Sequence, residues 1–307
     1  MKSLSNKTSF YLTDGGLETD LIFNKGLDLP HFASFPLIEQ PTHMKTLKDY
    51  YRSYMNIAAD SGSGFILESP TWRASPDWAY KLGYSAPDLK GLYSRAMKLM
   101  KDLKSEFKEN IESIYVCGQL GPRGDGYDPG KKMTIEEASE YHRGQIANMH
   151  QSGAEIVSAH TMCYLEEVIG ITMSAKEEHV PVVISFTVER DGRLPDGTPL
   201  GDAIQTTDLQ TDGYPLYYMI NCAHPSHFIH QLDPSAAWCS RIQGIRANAS
   251  CKSHAELNDS ASIDKGDKDE LAGFYSQLAE VLPNLKVIGG CCGTDASHIE
   301  SICRRVL

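Results

Sequence analysis

Short apolar runs alternate with helix-like stretches along this chain, and that alternation restricts its fold more than any other feature. Phe10-Tyr11-Leu12-Thr13 stops at the sharp turn Asp14-Gly15-Gly16, and a helix-like stretch begins at Leu17. A helical region through 48–59 leads to a second run, Phe65-Ile66-Leu67-Glu68-Ser69, and then to helical periodicity over 87–107. The third run is Ile114-Tyr115-Val116-Cys117-Gly118-Gln119; turn residues fill 121–126, and Thr134 with Glu136 and Glu137 opens a helix reaching about His150. Glu155-Ile156-Val157-Ser158-Ala159-His160 is the fourth, followed by a helix over 165–178. The fifth, 180–188, is a continuous apolar run of the kind buried on both faces of a parallel sheet, with a helix near 200–210 after it. The sixth ends at Asn221-Cys222, where Pro225-Ser226 is expected to open a helix, and Gln243-Gly244-Ile245-Arg246-Ala247-Asn248 is the seventh. A polar, aperiodic stretch, 250–268, precedes a helix over 268–282, the eighth run Val287-Ile288-Gly289-Gly290 and a last helix after Asp295. Eight strand-then-helix units predict a parallel sheet closed into a single (β/α)8 TIM barrel, of class α/β. One domain over 1–307 is expected, because only about 40 residues follow the polar stretch, too few for a second core.

Charge narrows the partners. Asp and Glu total 40 against 29 Lys and Arg, a net −11 with no basic stripe, which argues against nucleic acid or an anionic membrane. The N-terminal Met1-Lys2-Ser3-Leu4-Ser5-Asn6-Lys7 lacks the apolar core of a secretory signal, and no run approaches the roughly 20 apolar residues that span a bilayer. A cytoplasmic protein is expected, with its eight cysteines kept as thiols. Arg123-Gly124-Asp125 reads as loop composition rather than an adhesion motif.

In a barrel of this kind the strands' C-terminal ends build the active site. Asp14, Gly15 and Gly16 fall there on the first strand, Glu68 on the second, Gln119 on the third, His160 on the fourth, Asn221 and Cys222 on the sixth, and Cys291 and Cys292 on the eighth. Two adjacent thiols between glycines, with a third at another strand end, suit a metal better than a core. Three thiolates leave a fourth zinc position open, which is the arrangement of a catalytic site; a closed structural site draws its fourth ligand from the protein, usually in Cys-x2-4-Cys pairs that this chain lacks. Three thiolates on Zn2+ give a net charge of about −1, poor for making hydroxide. A substrate thiol in the open position would be deprotonated yet stay electron-rich, a nucleophile for a methyl carbon on a sulfonium or quaternary nitrogen.

Asp14-Gly15-Gly16, Asn221-Cys222 and Gly289-Gly290-Cys291-Cys292-Gly293-Thr294 together resemble the motifs of the homocysteine S-methyltransferase family, and the similarity spans essentially the whole chain. The resemblance implies zinc held by Cys222, Cys291 and Cys292, the acceptor's sulfur in the fourth position, and an amino-acid pocket lined by Asp14, Gly15 and Gly16. It implies methionine formed from homocysteine and a sulfonium donor, S-methylmethionine or S-adenosylmethionine. The partners expected are thus a small thiol acceptor and a cationic methyl donor, with no nucleic acid and no membrane. Trp72, Trp78, Tyr80 and Trp238 are candidates to hold a sulfonium by cation–π contact, packing being the commoner role for such rings.

Two departures touch the substrate pocket. Family members usually carry a Glu at the end of the fourth strand, where this chain has His160, and a Tyr-Pro-Asn-Ser-Gly-like stretch after the seventh, where it has Arg246-Ala247-Asn248-Ala249-Ser250. Two alternatives to the homocysteine reading follow: the same chemistry on another thiol or selenol, or a non-catalytic zinc or redox thiol protein. The remaining cysteines, 117, 163, 239, 251 and 303, read as packing residues, and His142 and His150 as residues of a helix face.

Overall fold

In the computed structural model, which describes residues 4–5, 7–258 and 262–307, eight parallel strands close into a barrel in chain order. They are β1 Tyr11–Leu12, β2 Gly64–Glu68, β3 Ile114–Leu120, β4 Ile156–Met162, β5 Val182–Phe186, β6 Tyr218–Asn221, β7 Ile242–Ala247 and β8 Val287–Gly290. Closure is made by β1 against β8, Tyr11 opposite Val287 and Leu12 opposite Ile288. Helices Pro41–Ser61, Ala86–Phe107, Ile135–Gln151, Leu165–Glu177, Leu200–Thr211, Lys268–Val281 and Ala296–Val306 accompany the strands. The expected barrel is the observed one.

Alternation along each strand sorts the core into two parts, because successive strand side chains point to opposite faces. Leu12, Phe65, Leu67, Val157, Val182, Ile184, Tyr218, Ile220, Ile245 and Ile288 belong to the large core that also holds the helices' apolar residues. Their neighbours Tyr11, Ile66, Cys117, Ile156, Val183, Met219 and Val287 form a separate cluster that plugs the barrel's lower end. One pleat further along the same faces stand Thr13, Glu68, Gln119, Ser158, Ser185, Asn221, Arg246 and Gly289. The barrel's interior is therefore apolar at its base and polar at its mouth.

Three expectations are corrected. Pro225-Ser226 does not open an α-helix: β6 and β7 are linked by short 3-10 turns, Pro225–His227, Ile229–Gln231 and Cys239–Arg241. Proline at 225 and again at 234 leaves too little uninterrupted chain for a stable helix. The stretch after Leu17 makes one α-turn, Leu17–Thr19, and continues as a π-turn, Asp20–Asn24. The polar stretch 250–268 contains a short helix, His254–Asn258, and residues 259–261 lie outside the described part. No helix among the described residues is long and apolar enough to cross a membrane.

Closure depends on the eighth strand's bare backbone. A Cβ on Gly289 would lie 1.8 Å from Thr13 Oγ1 and 3.1 Å from the Asp14 carbonyl, whereas one on Gly273, in the helix Lys268–Val281, would meet nothing within 4 Å. Gly289→Ala is expected to destabilise the fold by about 1–3 kcal/mol through overpacking, and Gly273→Ala to stabilise it by up to about 1 kcal/mol through helix propensity. Urea unfolding midpoints of the two variants against the parent check both signs.

Candidate active site and metal centre

Cys222 follows β6 and Cys291-Cys292 follows β8, so their sulfurs meet at the barrel's mouth, all within 4.8 Å of one another. Cys222 holds a left-handed backbone, φ +54°, which a non-glycine residue adopts only under constraint. Its neighbours supply that constraint: the Cys222 N–H donates to the Arg246 carbonyl at 3.1 Å and the Asn248 amide donates to the Cys222 carbonyl at 3.0 Å. On the other side, Cys291 N–H donates to the Ala247 carbonyl at 2.8 Å, and Thr294 Oγ1 donates to the Cys291 carbonyl at 2.7 Å. Gly15 and Gly16 lie against this loop. A Cβ on Gly16 would come 2.6 Å from the Cys291 carbonyl, and one on Gly15 would meet Tyr54 Oη and the Thr294 carbonyl.

The sulfurs fit a tetrahedral zinc, whose bonds of about 2.3 Å place ligand sulfurs about 3.8 Å apart. In this structure Cys222 and Cys291 are joined as a disulfide, and Cys292 is free, which departs from the expectation of eight thiols. Disulfide and metal compete for the same two sulfurs, and two-electron reduction exchanges one state for the other. Desolvation pushes the Cys292 thiol up to about 12, against a hydrogen bond from Tyr127, so its thiolate needs a cation close by. The other cysteines stand apart from this cluster, four of them buried and Cys251 exposed.

Beside the sulfurs lies a cavity of about 440 Å3, lined among others by Asp14, Gln119, His160, Asn221 and Arg246. Arg246, on the inward face of β7, is 5% exposed. It donates to Asp14 Oδ1 at 2.7 Å, to the Gly15 carbonyl at 3.0 Å and to the Gly290 carbonyl at 2.9 Å, and it forms an ion pair with Glu68. Asp14 Oδ2 accepts from Tyr50 Oη at 3.1 Å. Glu68 Oε1 accepts from Ser158 Oγ at 3.1 Å and from His160 Nε2 at 2.8 Å, which fixes the proton on that ring nitrogen. Burial holds the His160 imidazole down, to about 4, against the pull of Asp14, so the ring is neutral. Asn221 is committed too: Oδ1 accepts from the Thr161 N–H and Ser185 Oγ, and Nδ2 donates to Thr161 Oγ1, holding Thr161 at φ +61°.

The structure thus brings every expected site residue to the mouth, but in distinct layers. Cys222, Cys291, Cys292, Asp14, Gly15, Gly16, Gln119, His160 and Asn221 line the cavity, whereas Glu68 lies beneath its wall. Arg246 and Asn248 were singled out in the sequence only as departures from a family pattern. Their register position, two residues beyond Gly244 on the inward face, is the signal that places Arg246 in the site. The aromatic cradle is corrected. Arg73 lies 4.0 Å from the ring centroids of both Trp72 and Trp78, with Lys81 also over Trp78 at 3.9 Å, while Tyr80 is exposed and Trp238 packs beside Gly201. The protein's own cations cover those faces. Arg123-Gly124-Asp125 is an internally tied loop, with Arg123 paired to Asp77 and the Gly124 carbonyl accepting from Arg73. His142 is helical as expected but buried, bonded to Glu167 and Gln145.

Residues 11–306 match the family model described as homocysteine S-methyltransferase. The chain is 23% identical to homocysteine S-methyltransferase of Escherichia coli, over 98% of this chain and 97% of that one. It is 20% identical to selenocysteine Se-methyltransferase of Brassica oleracea, over 100% of this chain and 92% of that one. Its fold matches the crystal structure of the metallated form of the Escherichia coli homocysteine methyltransferase MmuM, with a TM-score of 0.74 at 20% identity, covering 98% and 97% of the two chains.

Two outcomes test this electrostatic arrangement. Arg246→Met leaves Asp14 and Glu68 buried without their cation and is expected to cost about 3–5 kcal/mol in urea unfolding. Buried His160, His224 and His254 all have pKa values pushed down to about 4, below the unfolded value near 6.5. The unfolded chain therefore binds more protons between these limits, so stability present above pH 6.5 is lost as pH falls toward 4. Each histidine contributes about 1 kcal/mol per pH unit in that window, and His160→Gln is expected to flatten the slope of unfolding free energy against pH.

Proposed function

The chain belongs to the homocysteine S-methyltransferase family and is a methyltransferase; on that basis we propose that it moves a methyl group from a sulfonium donor to a thiol held on zinc by Cys222, Cys291 and Cys292. The observation that carries this reading is the convergence of three sulfurs within 4.8 Å beside the cavity. Zinc bound there would lower the acceptor thiol's pKa and hold its sulfur as an electron-rich thiolate. In the transfer the acceptor's sulfur forms a bond to the methyl carbon as the donor's S–CH3 bond breaks. The bonding pair stays on the donor's sulfur, leaving a neutral thioether, and the acceptor's thiol proton goes to solvent.

The chain's own residues arrange this encounter. The bonds from Arg246 and Asn248 hold Cys222 in its left-handed conformation, and Thr294 holds the Cys291 turn, so the sulfurs are preorganised. Asp14, Gly15 and Gly16, with Gln119, His160 and Asn221, form the wall against which the acceptor would lie. Homocysteine, giving methionine, is the acceptor that the family's name supplies, and S-methylmethionine or S-adenosylmethionine the donor. A second reading, another thiol or a selenol, is favoured by one observation: Arg246 already holds both Asp14 and Glu68.

Freshly reduced protein is expected to retain one zinc per chain and to methylate a thiol, read by product mass. Cys291→Ala should lose both zinc and turnover while its circular dichroism and melting temperature stay near the parent's, because the residue lies at the mouth and not in the core. A storage or redox protein would instead tolerate the loss of one thiol, and retained turnover in Cys291→Ala would sink the three-sulfur site.

A further inference from the structure

Arg246 restricts the kind of thiol that the mouth can accept. Its guanidinium bonds to the carbonyl of Gly290, the residue immediately before Cys291, and to that of Gly15, so a buried positive charge stands beside the cysteine loop. An acceptor whose sulfur reaches the cysteines has its polar end a few bonds away, within that charge's reach.

An ammonium group at that polar end would need a carboxylate, and each one here is engaged. Asp14 uses Oδ1 for Arg246 and Oδ2 for Tyr50; Glu68 uses Oε2 for Arg246 and Oε1 for Ser158 and His160. Elsewhere on the cavity wall, Glu18 accepts from Ser34 Oγ at 2.7 Å, Asp125 lies 3.8 Å from Arg73, and Asp264 is paired with Lys252 and Ser250. An ammonium entering this mouth meets a guanidinium already seated on the charges it would seek. A carboxylate or a hydroxyl meets the opposite: the field of Arg246, the neutral imidazole of His160, and the amide of Gln119, which among the described residues makes no side-chain bond to the protein.

We infer that the acceptor is a thiol bearing a carboxylate or an uncharged polar group and no ammonium, and this rests on the thiol methyl-transfer reading. It is recognised through the buried ion triad Asp14–Arg246–Glu68 acting as one preorganised unit. Arg246 is the specificity-determining residue, and the disposition of charge at the mouth excludes α-amino thiols.

The test compares homocysteine with its des-amino analogue, 4-mercaptobutanoate, and with uncharged 2-mercaptoethanol, on the reduced, zinc-loaded full chain with S-methylmethionine or S-adenosylmethionine as donor. Product mass gives kcat/KM, and calorimetric titration gives thiol binding without turnover. The des-amino thiol is expected to exceed homocysteine by about tenfold or more in kcat/KM and in affinity, the size of effect that facing like charges produce. Arg246→Gln, which frees both carboxylates, should move that ratio toward homocysteine by about tenfold or more, with melting temperature confirming a folded chain. Homocysteine equal to or better than 4-mercaptobutanoate in the parent protein overturns the inference and leaves the methyl-transfer reading standing. Absence of methylated product from every thiol overturns that reading instead, and the calorimetric ranking of the three thiols still decides the inference if Arg246→Gln does not fold.

Discussion

A buried guanidinium ties four strands of the barrel together at its open end. Arg246 rises from β7, reaches Asp14 after β1 and Glu68 on β2, and bonds the last carbonyl of β8. Removing one charge of such a group leaves its partners in a low-dielectric setting without compensation, so the three ionised residues stand or fall as a unit. Everything else at the mouth is arranged around that unit. His160 and Ser158 complete Glu68, Tyr50 completes Asp14, and the cysteine loop hangs from the same carbonyl that Arg246 holds.

The cysteine loop is the other half of the site and obeys a different constraint. Its sulfurs converge only because the backbone around them is held tightly: Cys222 in a left-handed conformation, Gly293 at φ +83°, and two glycines of the first loop pressed against Cys291 and Thr294. Rigidity of this kind suits a ligand set, since a metal held by three sulfurs gains most when they are already in place. It also explains why the same sulfurs form a disulfide, because atoms poised for one ion stand close enough to bond to one another.

Much of this was legible in the sequence, for reasons that particular residues make plain. Strand ends show where apolar runs meet Gly-Gly or Asn-Cys, and once the barrel is expected, residues as far apart as Cys222 and Cys291 fall at one mouth. Period-two alternation extends the same logic: the inward residue after Met219 is Asn221, after Val183 is Ser185, and after Gly244 is Arg246. Partnership was not legible. Arg246 and Asp14 are separated by 232 positions, and no local pattern announces that a lone arginine on an apolar strand has two carboxylates waiting for it. The missing helix after β6 fails for a local reason, two prolines in a short link, that helical periodicity alone does not weigh. The aromatic cradle fails because a ring's availability depends on what covers it, and Arg73 follows Trp72 directly in the chain yet turns back onto it and Trp78.

The two halves of the mouth answer separable chemical questions. A sulfur cluster sets how an acceptor's thiol is activated, through the charge and number of its ligands, and tells nothing about the rest of the molecule that carries the thiol. The ion triad sets what that remainder can be, through the sign of the charge it presents, and contributes nothing to activating sulfur. A chain can therefore keep its reaction while its acceptor changes, provided that the altered charges remain mutually satisfied in the closed barrel. The Asp14–Arg246–Glu68 arrangement meets that condition without using the sulfurs, so the acceptor's charge is read at one place and its nucleophile is made at another.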